Sequence, residues 1–246
     1  MKANPSRTWV PGRRAVVAGP VVAAATLIAA VAVTRAAGVP LRDPGHVSVV
    51  RLGIAAALVL AVAAVDAVVR GARRTGRLLP SGAALRAVGR ERWPARRVAA
   101  VAIALVSFFA TYMAYRNLKS VVPLVRPGDL FDGPLQSVDR SLFGGSPPAV
   151  VLHSALGTSV ATPVLSVVYL LFFSFIPVAL AAALVLAPSP AAGLFVVTAL
   201  AANWALGAGS YYVLPSLGPF HADPAAFAHL PASGVSAMQH TLLAER

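Results

Sequence analysis

The sequence predicts an all-α fold, a polytopic membrane helix bundle with about five transmembrane helices. Three observations lead to it. Of the 246 residues, 58% are hydrophobic and 12% charged, and the mean hydropathy of +0.75 lies far above that of a water-soluble domain. The apolar residues fall in charge-free runs of about 20, the length a helix needs to cross a bilayer core. Those runs are continuous instead of alternating over ten residues, which fits helices that satisfy their own backbone groups in lipid and not an outer-membrane barrel.

The first run, Ala15 to Thr34, lies between Arg14 and Arg35. Ala30-Val31-Ala32 offers a loose signal-peptidase site, but the run exceeds the usual apolar core of a signal peptide, so a retained helix is expected. The second, Leu52 to Val69 between Arg51 and Arg70, is interrupted by Asp66, and the third is Val98 to Tyr115 between Arg97 and Arg116. After Arg140 no charged residue occurs until Asp223, and Pro163 to Ala187 and Ala191 to Leu214 are the densest apolar stretches there. Pro188 and Pro190 mark the turn between them. The chain divides on this reading into 1–97, N-terminal helices with an Arg-rich loop, and 98–246, a second membrane region.

Lys and Arg number 21 against 8 Asp and Glu, a net charge of +13. They sit between the apolar runs and not along one basic face, so they read as membrane-flanking cations, and no nucleic-acid partner is expected. Cysteine is absent, which excludes disulfides, thiolate catalysis and cysteine metal sites. From Arg70 to Arg97 there are nine Arg (70, 73, 74, 77, 86, 90, 92, 96, 97) against Glu91, which assigns that loop to the cytoplasm. Lys2, Arg7, Arg13 and Arg14 put the N-terminus on the same side. By alternation, Arg116 to about Thr162 and the tail after Leu214 face outward, giving a multi-pass protein of the cell membrane with an extracytoplasmic Lys119 to Pro127 motif.

That motif reads Tyr115-Arg116-Asn117-Leu118-Lys119-Ser120-Val121-Val122-Pro123-Leu124-Val125-Arg126-Pro127. Seven residues are nearly two helical turns, about 10 Å of rise, so in a helix Lys119 and Arg126 share a face. A point charge and a planar fork together suit one phosphate group at a membrane surface. The alternative stands beside it: cations just outside a span are commonly anchors that snorkel to lipid headgroups. Pro123 and Pro127 bend or end the helix.

Lys119-x6-Arg126-Pro127 resembles the first signature motif of the type 2 phosphatidic acid phosphatase superfamily. Asp139-Arg140-Ser141-Leu142-Phe143-Gly144-Gly145 and Ser210-Tyr211-Tyr212-Val213-Leu214-Pro215-Ser216-Leu217-Gly218-Pro219 are similar to its inositolphosphotransferase-type, aureobasidin-resistance-like branch, from about Val98 to the C-terminus. The resemblance implies a lipid-phosphate phosphatase or phosphotransferase working through a phosphohistidine without metal or cofactor. Lys119 and Arg126 would neutralise the phosphoryl oxygens, Arg116 and Arg140 would be lesser headgroup contacts, and the substrate would be a lipid phosphate or polyprenyl pyrophosphate. The superfamily's later Ser-x-His and Arg/His/Asp elements are missing, so no catalytic residue is assigned, and the chain reads as the N-terminal part of an incomplete lipid phosphatase bundle. The competing hypothesis is a non-catalytic membrane protein that binds anionic lipid or a partner; a transporter ranks last for want of repeat symmetry and a broken-helix pair.

Other residues have plainer readings. Asp66 is expected to pair with Arg70 at i,i+4 or to snorkel. His221, Asp223 and His229 form at best a weak metal set, and His153 and His240 could act as nucleophile only in a fold unlike the family's. Pro177 is expected to permit a kink, and Gly207 and Gly209 close helix packing. Trp9, Trp93, Tyr211 and Tyr212 fit interfacial belts, and Ala237 to Arg246 a short helix.

Overall fold

A computed structural model describes residues 11–128, 130–228, 230 and 232–238. Among them is no strand, and up to residue 228 there are nine α-helices: α1 Arg13–Ala36, α2 Val47–Thr75, α3 Gly82–Arg92, α4 Ala95–Val125, α5 Asp132–Leu142, α6 Pro148–Leu156, α7 Ala161–Leu186, α8 Pro190–Val213 and α9 Pro219–Ala222. Five stretches are long and apolar enough to cross a membrane: Arg13–Ala36, Pro44–Thr75, Ala95–Val125, Ala161–Leu186 and Pro190–Val213. The chain is an all-α, multi-pass membrane protein. Three of the helices, α1, α2 and α4, outrun their apolar cores at both ends; α4 continues ten residues past Tyr115 and carries Lys119 inside its last two turns. Trp9, His229, His240 and most of the expected C-terminal helix lie outside the described residues.

Two compact units divide the chain, Met1–Leu118 with Ile176–Ala208 and Lys119–Phe175 with Gly209–Arg246. The first is built around α4. Ala100, Ala104, Phe108 and Tyr112 of α4 pack on Ala55 and Val59 of α2, Leu180, Leu184 and Val185 of α7, and Leu194, Val197 and Ala201 of α8. Lipid tails are as apolar as leucine, so this association rests on close packing more than on removal from water, which is why so many contact residues are alanine. The buried hydroxyls of Thr34 and Thr111 donate to the carbonyls four residues back, at 2.8 and 2.9 Å, which keeps them satisfied in a dry interior.

Helix α7 ends where Ala187, Pro188 and Ser189 turn the chain into α8. Pro190 occupies the first helical position, where its missing N–H costs nothing, and the Ser189 hydroxyl accepts from the Ala192 amide at 3.2 Å. Close packing of this pair centres on Gly193, where an added Cβ would lie 2.2 Å from the Ala183 carbonyl oxygen. This corrects the expectation for Gly207 and Gly209: a Cβ at either meets nothing within 4 Å among the described residues. The two glycines near the C-terminal end of α8 therefore do not mark its contact face.

At the end of the first unit that holds α3, cations meet a buried acid. Arg70 donates to Asp66 at 2.8 Å, the expected i,i+4 pair, and the buried Arg92 of α3 lies 3.0 Å from the other carboxylate oxygen. Arg92 and Arg97 also donate to the Val185 and Leu184 carbonyls, both at 3.0 Å. These are last-turn carbonyls of α7, which lack intrahelical donors and lie at the negative end of the helix dipole. Trp93 stacks on the Arg97 guanidinium at 4.4 Å. At the opposite end of α4, Asp43 accepts from Arg116 at 3.1 Å, and the Asn117 side chain both accepts from and donates to the Arg42 backbone at 2.8 Å.

Candidate functional site

The second unit contains the Lys119 motif. Helix α4 carries Lys119 and reaches Val125, and the Arg126 amide still donates to the Val122 carbonyl at 2.8 Å. Pro123 has no N–H for the Lys119 carbonyl, and Pro127 stops the helix. Gly128, at φ +78, takes the chain through a left-handed turn that a side chain would resist.

Beyond that turn, two strands of irregular chain are clamped together. The Phe131 amide donates to the Pro215 carbonyl at 2.9 Å. The Asp132 carboxylate, at the start of α5, accepts from the Leu217 amide at 3.0 Å and from the Gly218 amide at 2.7 Å. Asp132 was not legible as a site residue. An acid in the first turn of a helix suits the dipole anywhere, and its backbone partners lie 85 and 86 residues downstream.

The clamp fixes Pro215 and Leu217, which line a partly open cavity of about 180 Å³ together with Lys119, Pro123, Arg126, Leu130, Tyr211 and Ser216. Arg126 donates through Nη1 to the Tyr212 carbonyl at 2.6 Å, which orients its fork. Lys119 Nζ stands 5.2 Å from the centre of the Tyr211 ring, a cation–π contact that orders the ammonium without neutralising it. Among the described residues, no carboxylate lies within ion-pair distance of Lys119. Two cations of different geometry thus line one largely apolar space, which suits a ligand with an anionic head and a hydrocarbon part.

The other sequence candidates lie elsewhere. Arg116 is bound to Asp43 in the first unit. Arg140, on α5, is 3.7 Å from Asp223, a half-exposed pair of little energetic weight. His153, on α6, packs edge-on against Phe227 at 6.0 Å, and His221 is exposed on α9. Among the described residues no histidine lines the cavity; Ser216 and Tyr211 supply its only hydroxyls. Compared with known proteins, the chain matches no family model, no curated protein and no solved structure.

Proposed function

We propose that the cavity lined by Lys119 and Arg126 binds the phosphate group of a membrane lipid, a lipid phosphate or a polyprenyl pyrophosphate. The observation that carries this reading is that both cations line one cavity whose remaining walls are mostly apolar. Lys119 would meet the phosphate as a point charge and Arg126 as a fork, while Pro123, Leu130, Pro215 and Leu217 would contact the start of the hydrocarbon chain. The motif resemblance supports the same ligand. It extends the reading to a phosphatase or phosphotransferase on the extracytoplasmic face, in which a histidine attacks phosphorus and the two cations stabilise the transferring group. With no histidine lining the cavity among the described residues, binding is the activity the geometry supports directly; non-catalytic binding of anionic lipid is the second reading.

Nanodiscs carrying phosphatidic acid in phosphatidylcholine test both. Lys119→Ala and Arg126→Ala are each expected to weaken phosphatidic acid binding at least tenfold, about the worth of a charge-assisted hydrogen bond. Lys119→Arg also weakens it if the ammonium fits a shaped site, whereas a headgroup anchor needs only the charge. Equal affinity in all four proteins would reject the site. Phosphate release from the same lipid, abolished by both alanine variants, would establish catalysis in addition; binding without release would leave the non-catalytic reading.

A further inference from the structure

Gly76, with φ +67, closes α2, and Ser81 caps α3 by accepting from the Ala84 amide at 3.3 Å. The intervening turn is folded back firmly. A Cβ on Gly71 would lie 2.9 Å from the Pro80 ring, Val88 is 1% exposed, and Arg74 pairs with Glu91 at 2.5 Å. This scaffold presents Leu78 and Leu79, 92% and 86% exposed, the two most exposed large apolar side chains of the described residues. In the same segment of α2, turn and α3, Arg73, Arg77, Arg86 and Arg90 are all exposed, and among the described residues none forms an ion pair or hydrogen bond. Arg86 and Arg90 are one turn apart and so lie on the same stripe of α3, away from Val88.

We propose that this turn is a second lipid-binding surface, specific for anionic phospholipid, which takes headgroup phosphates on Arg73, Arg77, Arg86 and Arg90 and inserts Leu78 and Leu79 among the acyl chains. Charge complementarity and position argue for that ligand. The turn follows directly from a membrane-spanning helix, and four unneutralised guanidiniums at such a place attract acidic headgroups. A nucleic acid or acidic protein would answer the arginines but leave two leucines in water; a bilayer accommodates both. This inference does not depend on the reading of the Lys119 cavity.

The cysteine-free sequence lets Leu79→Cys carry a single nitroxide label, with the protein in nanodiscs of phosphatidylcholine titrated with phosphatidylglycerol. The expected result is that the label becomes accessible to oxygen and shielded from a nickel chelate as phosphatidylglycerol rises, and that 1 M salt reverses the change. Arg77→Gln and Arg86→Gln in that background each raise the half-maximal phosphatidylglycerol content about fivefold. Native mass spectrometry of the unsubstituted protein, which needs no variant, should retain phosphatidylglycerol over phosphatidylcholine. A label open to the nickel chelate in both lipids, one shielded equally in both, or one shielded by an added oligonucleotide or acidic peptide but not by phosphatidylglycerol would overturn the proposal.

Discussion

Asp66 illustrates how much a single charge decides in an apolar chain. Burial pushes the Arg92 guanidinium below its ordinary value and the neighbouring Arg70 adds to the push, while Asp66 opposes both. Removing the acid leaves Arg92 buried beside other cations, and breaking one side of a buried pair costs about 3–5 kcal/mol. Asp66→Ala is therefore expected to unfold at markedly lower denaturant in detergent, detected by near-ultraviolet circular dichroism. Arg74→Ala, which breaks a pair exposed to 45% and 51%, should cost less than about 1 kcal/mol. Equal losses would mean that the Asp66 cluster is not the tie the geometry describes. The Arg70 partner was legible from i,i+4 spacing; Arg92, twenty-six residues on, was not, because nothing local announces that α3 returns to α2.

Between elements, the close approach of α7 and α8 makes a sharper prediction. Gly193→Ala forces a methyl to 2.2 Å from the Ala183 oxygen, so the helices must separate, at about 1–3 kcal/mol. Gly207→Ala has open space and should be neutral or stabilising by up to about 1 kcal/mol through helix propensity. Thermal unfolding of the two variants in one detergent checks this, and the reverse order would refute the packing. The Asp132 clamp also acts between elements. Asp132→Ala removes the acceptor of the Leu217 and Gly218 amides and is expected to weaken phosphatidic acid binding by loosening the cavity wall, with Asp132→Asn, which keeps a carbonyl acceptor, retaining more of it. Unchanged binding in both would show that the wall stands without the clamp. Hydropathy revealed all five spans because each must be apolar in lipid. It missed the extension of α4 to Val125; the first two residues past Tyr115, Arg116 and Asn117, are tied to Asp43 and the Arg42 backbone, contacts more than seventy residues distant in sequence.

For the whole molecule, membrane orientation is the property that charge distribution addresses and helix packing does not. Nine Arg against one Glu between 70 and 97 contrast with one Lys and three Arg against three Asp between 116 and 162. Basic residues near span ends are retained in the cytoplasm, so the first segment is expected inside and the second outside. The Lys119 motif follows the third span, and a cytoplasmic N-terminus puts the cavity where it would meet lipids of the outer leaflet. The absence of cysteine makes this directly testable: Thr75→Cys and Ser137→Cys each provide one exposed thiol. In intact cells an impermeant maleimide should label Ser137→Cys at once and Thr75→Cys only after permeabilisation. The opposite pattern would invert the protein and move the proposed phosphate site to the cytoplasmic leaflet. Equal labelling of both before permeabilisation would place the two positions on one side, and α4 would then not cross the bilayer. Only the first outcome is compatible with an extracytoplasmic lipid phosphatase or phosphotransferase, so orientation constrains function before any substrate is tried.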